Sequence, residues 1–379
     1  MELRRLTAGD YDALLTLLNE VFARHNGSPQ NFEKMLPKMW GRDDAHMGKH
    51  LGVFDGGALV ACIGVYPLET VVNGEKLLFS TMGNIATHWD HTGKGYMSLL
   101  IDAAMKELET IGADASRLGG NRHRYNRYGF ESCGQLLHLT FAPNTLGKYF
   151  TDAPEITFER IAKEDREALD FCANLYNRNA IAVTRNGEDS YAVMTAWENV
   201  PYLCLIDGQT IGYLCADAAG GEIAEIFAIE EKYVAYMLRR WQARLGKAIT
   251  FSLQPHQIRQ IQIFSAICDS MTLQAPTQYK IMHWERVISA FLKLKATYCQ
   301  LPEGELILQI QDYGTLRIFV TSEAMGCEPT EKTPQLTLSQ LEASRMIFGP
   351  LAPNYTANTD ISGINWFPLP LSWNGQDRV

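Results

Sequence analysis

Two glycine turns separate three apolar runs near the start of the chain, and their spacing limits the folds available to it. Asp55-Gly56-Gly57 lies between apolar runs at 51–55 and 58–66, and Asn73-Gly74 precedes a run at 76–88. Asp-Gly and Asn-Gly favour hairpins because these residues tolerate the positive φ angles that such turns require. The sequence therefore predicts three antiparallel strands joined by hairpins.

Helices are predicted on both sides of these strands. Asp10 is suited to cap a helix that carries Leu14, Leu17 and Leu18 on one face. After the third strand, the turn at 92–95 leads directly into an apolar-faced helix that stops near Gly112. Strands near 115–118 and 135–141 complete a mixed α/β (α+β) unit with a mostly antiparallel sheet.

The order of predicted elements repeats along the chain. A second unit has a helix at 165–177, strands at 191–197, 201–207 and 210–217, and a helix at 230–245. A third unit begins with a helix at 284–296, followed by hairpin strands and a last helix at 339–348. We therefore predict three domains, at 1–148, 149–284 and 285–379.

Charge and apolar patterning argue against several classes of protein. The chain has 34 basic and 43 acidic residues, a net charge of −9, so nucleic-acid binding is not expected. The apolar stretch at 58–66 is far shorter than the ~20 residues of a membrane span, and the amino terminus lacks the apolar core of a signal peptide. Eight scattered cysteines with no C-x-x-C pair predict reduced thiols and a cytoplasmic location.

The turn Thr92-Gly93-Lys94-Gly95 is the first candidate for chemistry. Its glycines let backbone N–H groups converge at the start of a helix, where the helix dipole adds positive potential. Such a turn suits a diphosphate, although a plain strand-to-helix turn has the same residues. It is not a Walker loop, because His88 replaces the first glycine and Gly95 replaces the Ser/Thr.

A second motif, Tyr125-Asn-Arg-Tyr-Gly129-Phe130, follows thirty residues later. Together the two motifs resemble those of the GNAT superfamily of acetyl-CoA-dependent N-acetyltransferases. The first matches at Gly95 and departs at Thr92 and Met97, whereas the second matches fully. These departures, and the length of the chain, are similar to the enhanced-intracellular-survival (Eis) type: an active GNAT domain, a degenerate GNAT domain and a sterol-carrier-like domain.

The resemblance implies roles for particular residues. The pantetheine arm of acetyl-CoA is expected to pair with the backbone of Ile85, Ala86 and Thr87. The pyrophosphate is expected at the loop residues, which are Thr92, Gly93, Lys94, Gly95, Tyr96 and Met97. Tyr125 matches the tyrosine that acts as general acid, a role its chemistry allows because a phenol can protonate a thiolate.

The base is left open between two groups. In Eis-like enzymes the terminal carboxylate, here that of Val379, reaches the active site; the alternative is a carboxylate that acts through water. The pairs His46/His50 and His88/His91 have ligand-like spacing, but no third ligand is placed by the sequence, so no metal is expected. In the second unit, Ile229-Glu230-Glu231 replaces the glycine turn, so one active site per chain is predicted.

The sequence thus predicts an N-acetyltransferase that moves acetyl from acetyl-CoA to an amine of a cationic small molecule or a lysine-like group. No nucleic-acid or membrane partner is expected, and homo-oligomerisation is left open. The alternative is a non-catalytic protein that binds an apolar ligand and has an eroded acetyl-CoA site. Thr92 and Met97 favour this alternative, and the intact motif at Tyr125 opposes it.

Overall fold

A computed structural model describes residues 1–351 and 363–378. The α-helices are α1 (Tyr11–Asn26), α2 (Phe32–Met35), α3 (Asp44–Met47), α4 (Tyr96–Thr110), α5 (Arg122–Tyr125), α6 (Thr145–Tyr149), α7 (Arg166–Tyr176), α8 (Gly187–Met194), α9 (Glu231–Leu245), α10 (Ile258–Ser265), α11 (Trp284–Ala296) and α12 (Gln340–Phe348). The strands are β1 (Glu2–Arg5), β2 (His50–Asp55), β3 (Ala58–Val72), β4 (Glu75–Thr87), β5 (Ala115–Leu118), β6 (Glu131–Cys133), β7 (Leu136–Phe141), β8 (Thr157–Arg160), β9 (Ile181–Val183), β10 (Val200–Ile206), β11 (Gln209–Ala216), β12 (Glu222–Ala228), β13 (Ile249–Leu253), β14 (Ser270–Gln274), β15 (Thr277–Ile281), β16 (Gly304–Ile310), β17 (Gly314–Val320), β18 (Met325–Pro329) and β19 (Leu336–Leu338). The mixed α/β fold class is confirmed.

The strands form three mixed sheets. The first has the order β1-β2-β3-β4-β5-β15-β6, with β9 paired to β3, and the second has the order β14-β7-β13-β12-β11-β10-β8. The third is β18-β17-β16-β19. Most neighbouring strands are antiparallel, while β4 with β5, β12 with β13 and β16 with β19 form parallel pairs.

The first two sheets exchange one strand with each other. Strand β7 leaves the first unit and lies between β13 and β14, whereas β15 leaves the second unit and lies between β5 and β6. With this exchange the two sheets have the same strand order. The repeat predicted from element order is therefore present, and its two copies are joined by reciprocal strand exchange.

One face of the first sheet shares an apolar core with the third sheet, with helices α11 and α12, and with the carboxyl-terminal tail (residues 363–378). Phe79 of β4 and Tyr279 of β15 lie in the same cluster as Phe291, Phe348 and Trp373. The tail is therefore part of the core that packs against the first sheet. Separate clusters lie under α4 and α9.

The predicted hairpin turns at Asp55-Gly56 and Asn73-Gly74 are confirmed, and Asp207-Gly208 forms a further hairpin turn between β10 and β11. The predicted strand at 191–197 is wrong, because residues 191–194 belong to helix α8, whose N-cap is Asn186, and Ala196–Glu198 form a 3-10 turn. The strand predicted at 135–141 exists, but it belongs to the second sheet. Alternating apolar residues identify a strand without identifying its partner. The three domain boundaries remain a prediction.

Candidate active site

Strands β4 and β5 form a fork at the centre of the first sheet. Their parallel pairing runs from Phe79↔Ala115 to Met82↔Leu118 and then stops. Beyond it, β4 continues to Thr87 with β3 as its partner on one side. On the β5 side, residues 83–87 have no strand partner within the described chain, so the backbone groups on that side take part in no ladder. The predicted pantetheine-pairing residues Ile85, Ala86 and Thr87 lie on this edge.

A bulge in β4 opens the fork. The register with β3 shifts between Cys62 and Gly64, opposite Ala86 and Gly83. At this point Asn84 adopts φ 52°, a left-handed conformation that asparagine tolerates better than most residues. The bulge leaves 84–85 out of the β3 pairing and bends the strand end away from β5.

Buried side chains hold this bulge. The Cys62 thiol donates to the Asn84 carbonyl (3.2 Å), and the Asn84 amide donates to the Tyr66 hydroxyl (2.7 Å). His50 is fully buried; its Nδ1 donates to the Met47 carbonyl (3.3 Å), which leaves Nε2 to accept from Tyr66 (2.7 Å). Burial lowers the pKa of His50 to about 4. His50 is therefore a neutral core histidine that fixes the shape of β4.

The glycine turn follows β4 as predicted. Gly93 and Gly95 have φ of 80° and 81°, and Gly95 is the N-cap of α4, with no side-chain cap. The first N–H groups of α4 are therefore free of a capping side chain and point out of the helix start. Thr92 donates to the Trp89 carbonyl (2.8 Å), and Met97 packs against the cluster under α4. The two departures from the family motif serve local structure.

The charges at the turn are partly matched. Asp55 accepts hydrogen bonds from Lys94 Nζ (3.3 Å) and the Tyr96 hydroxyl (2.9 Å). The Tyr96 hydroxyl and Lys94 hold the pKa of Asp55 below its usual value. Lys94 is thus tied to a carboxylate, and only part of its charge is available to a phosphate.

A second cation near the turn comes from the motif around Tyr125. Arg127 is exposed and its Nη2 lies 3.4 Å from Ser98 Oγ, in the first turn of α4. Arg122 belongs to the same group of basic residues, Arg122, His123, Arg124 and Arg127, and it instead pairs with the buried carboxylate of Glu131, with Nε 2.5 Å from Oε1. Arg122 therefore has a structural role, whereas Arg127 is available to an anion at the start of α4.

Tyr125 ends the short helix α5 and is 4% exposed. It belongs to the same apolar cluster as Tyr96 and Leu118, against which Ile85 and Met97 also pack. Burial raises the pKa of Tyr125, and the neighbouring Arg124 opposes this shift. The phenol therefore keeps its proton at neutral pH and can act as a donor.

The tail is fixed by a buried ion network. Asp377 accepts from Arg185 (Nη2–Oδ1 2.8 Å) and from the Tyr176 hydroxyl (2.5 Å), and Arg185 also pairs with Glu225 (Nη2–Oε1 2.6 Å). The Arg378 guanidinium lies 5.2 Å from the ring centre of Trp197. Val379, the predicted source of a catalytic carboxylate, lies outside the described residues.

The sequence motifs therefore locate the fork edge, the turn and Tyr125, and the chain brings them together around β4. Sequence reasoning missed the Asn84 bulge and the separation of Arg127 from Arg122. An asparagine inside an apolar strand was the available signal for the bulge. Arg122 forms its ion pair with Glu131, and no local sequence pattern predicts that these two residues meet.

Residues 2–133 match the family model of the acetyltransferase (GNAT) domain. No curated protein matches the chain in sequence. Within residues 1–351 and 363–378, no helix is long and apolar enough to cross a membrane, and no group of three or more His, Cys, Asp or Glu side chains could hold a metal.

Solved structures share the fold over nearly the whole chain. A GCN5-related N-acetyltransferase from Anabaena variabilis has a TM-score of 0.70 at 12% identity, with 98% of both chains covered. A probable N-acyltransferase from Enterococcus faecalis has 0.65 at 14%, with 91% of this chain and 88% of that chain covered. Eis1 from Mycobacterium abscessus has 0.61 at 16%, with 91% and 89% covered. Residues 2–133 thus match a GNAT acetyltransferase domain in sequence, and the whole chain shares the fold of these solved structures.

Proposed function

We propose that the protein transfers acetyl from acetyl-CoA to an amine by direct attack in a ternary complex, at the fork of β4 and β5. The observation that carries this proposal is the unpaired edge of β4 leading into the Gly93–Gly95 turn. An extended amide chain can pair with such an edge, and a diphosphate can accept from the free N–H groups of α4. In this proposal Ile85, Ala86 and Thr87 pair with the amide chain of the pantetheine arm, and residues Thr92 to Met97 bind the diphosphate.

The chemistry needs a neutral amine, donors for the oxyanion and a proton for the leaving thiolate. The amine nitrogen bonds to the acetyl carbonyl carbon, the C–S bond breaks, and Tyr125 gives its proton to the sulfur. Burial raises the pKa of Tyr125, so the phenol holds its proton at neutral pH, as a proton donor must. The proton lost by the amine goes to a base, for which the terminal carboxylate of Val379 is our candidate.

The finer assignments are parts of the same proposal. We infer an Eis-type arrangement, with domains at 1–148, 149–284 and 285–379, the second degenerate and the third sterol-carrier-like. The acceptor is a cationic small molecule or a lysine-like amine, and the protein acts in the cytoplasm. The firm anchorage of the tail by Asp377 supports a role for the end of the chain.

Calorimetric titration with acetyl-CoA tests the binding part of the proposal. One equivalent per chain is expected, since Glu230 and Glu231 replace the glycine turn in the second unit. Absence of heat and of thermal stabilisation would contradict the proposal. The rival function, a non-catalytic protein for an apolar ligand, rests on Thr92 and Met97, and both residues make local structural contacts at the turn.

Replacement of Tyr125 by phenylalanine tests the mechanism. Tyr125→Phe should lower turnover roughly 10²-fold, the scale of lost general-acid help, and leave acetyl-CoA affinity nearly unchanged. Tyr128→Phe, three residues away in the same motif and partly exposed, is the matched control. Unchanged turnover in Tyr125→Phe would remove this residue from the mechanism.

A further inference from the structure

Three hydrogen-bond donors are buried without an acceptor beside the fork. They are Nη2 of Arg117 on β5, the hydroxyl of Tyr279 on β15 and Nε1 of Trp373 in the tail; none makes a hydrogen bond of normal geometry within the described residues. The Arg117 guanidinium and the Tyr279 hydroxyl are near enough to influence each other's pKa, but they leave each other without a well-formed hydrogen bond. Their residues are 4%, 1% and 6% exposed. Buried polar groups of this kind are normally satisfied, and a guanidinium most of all. A missing acceptor is therefore indicated.

The three residues are close neighbours. Arg117 and Tyr279 are directly opposite each other in the β5–β15 ladder, so their side chains share one face of the sheet. The Arg117 guanidinium lies 4.2 Å from the ring centre of Trp373, and its Nε donates to Thr81 Oγ1 (3.0 Å). Arg117 immediately precedes Leu118, the last residue of β5 paired with β4. The cluster therefore lies at the point where the fork opens.

No described carboxylate is available to neutralise Arg117. Asp377 is near enough to influence it, but both of its oxygens are engaged, by Arg185 and by Tyr176. Lys38 lies nearby with its Nζ on the Gln376 carbonyl, and burial lowers its pKa to about 7. The buried guanidinium of Arg117 therefore has no counter-ion of its own, which favours an anion at this place.

We propose that Arg117, Tyr279 and Trp373 form a carboxylate-binding site at the fork. All three free groups are donors, as a carboxylate requires, and its single charge matches the single unpaired guanidinium. The carboxylate has two sources: a carboxyl group on the acceptor amine, which rests on the proposed function, or the terminal carboxylate of the chain. The first source narrows the acceptor class to amines that carry a carboxyl group.

The melting temperature of the Arg117→Met variant distinguishes a site occupied by the chain's own terminal carboxylate from a site that awaits the carboxyl group of an acceptor. If the terminal carboxylate binds Arg117, the ligand-free variant should melt lower by about 5 °C, because a buried anion loses its partner. Deletion of Val379, which moves the carboxylate back by about 3.5 Å, should give a similar loss, and the two losses should not add. Tyr279→Phe and Trp373→Phe each remove one donor with little change in shape and should show smaller losses.

If the acceptor supplies the carboxylate, Arg117→Met should leave the ligand-free melting temperature unchanged or raise it. In that case L-lysine or formate should stabilise the original chain, L-lysinamide and chloride of equal ionic strength should not, and the variant should show no stabilisation. These readouts need neither acetyl-CoA nor turnover, so they can fail while acetyl transfer stands.

The inference is overturned if Arg117→Met does not melt lower, shows no coupling to Val379, and no carboxylate protects the original chain. Ordered water would then satisfy the three donors. Failure of acetyl-CoA binding, with these effects intact, would instead overturn the proposed function alone.

Discussion

The first two sheets contain the same fork, and they use it differently. In the first, β4 and β5 separate after Met82↔Leu118; in the second, β12 and β13 separate after Ile223↔Phe251. Strands β4 and β12 each also have a register shift just beyond the last parallel pair, near Asn84 in β4 and near Ala224 in β12. The opening is thus a property of the shared fold, and function depends on what surrounds it.

The turn after the fork is the clearest difference. In the first unit, Gly95 caps α4 with φ 81°, whereas in the second Glu230 caps α9 with φ −133° and Glu231 follows. Two carboxylates at the start of α9 are compatible with the helix dipole, but they repel a diphosphate. The second fork has the same strand arrangement as the first and lacks the features that favour a phosphate.

The second fork instead holds the tail. A cavity of about 390 Å³ between β12 and β13 is lined in part by tail residues from Trp373 to Arg378. At its wall, Glu225 joins Arg185 and Asp377 in the ion network, where the first fork has the neutral network of Asn84, Tyr66 and His50. The second fork thus holds the chain's own end, whereas our proposal assigns the first fork to a ligand.

The largest effect is expected when the turn before α4 is given a negative charge like that at the start of α9. Gly95→Glu places a carboxylate and a Cβ at a left-handed position, so acetyl-CoA affinity should fall about 10³-fold, from backbone strain and like-charge repulsion combined. Gly246→Glu makes the same change at φ 65°, at the end of α9, and should leave the affinity unchanged. Calorimetry with both variants tests this, and equal affinities would contradict the assignment of the turn.

Loss of the anchoring charge should come next. Arg185→Met leaves Glu225 and Asp377 buried without a cation, which should lower the free energy of unfolding by about 3 kcal/mol and expose the tail to proteolysis. Arg317→Met, in the partly exposed pairs with Glu305 and Glu328, should cost less than about 1 kcal/mol. Denaturant titration of both variants measures the difference. A protected tail in Arg185→Met would show that apolar packing alone holds it.

The sequence predicts local features well and long-range pairing poorly. The glycine hairpins, the turn before α4 and the helix face under it follow from neighbouring residues, and these features locate most of the fork. The exchange of β7 and β15 was not predicted, because strand partners depend on contacts more than a hundred residues apart. Arg117 was missed for the same reason: its significance arises only where Tyr279 and Trp373 meet it.

Acid should weaken the first fork through His50. An exposed histidine in the unfolded chain binds a proton below about pH 6.5, whereas buried His50 binds one only near its lowered pKa of about 4. The unfolded state therefore binds more protons between these values, and stability should fall by about 3 kcal/mol as the pH drops from 6.5 to 4. His50→Gln should reduce this fall, and exposed His25→Gln should not. Unfolding curves at several pH values measure it; identical acid sensitivity in both variants would contradict this role of His50.

Removal of Arg127 should give the smallest effect, and it tests whether the first turn depends on side-chain charge as well as on backbone geometry. Arg127 is exposed beside Ser98, so its attraction for a phosphate is screened by solvent. Arg127→Ala should weaken acetyl-CoA binding about fivefold at low salt and less at high salt, because side-chain charge is a minor contribution there. Arg124→Ala, also exposed and three residues away, is the control. A salt-independent loss in Arg127→Ala would mean that this arginine shapes the motif around Tyr125, and the preference of the first fork for a diphosphate would then rest on the backbone of its turn.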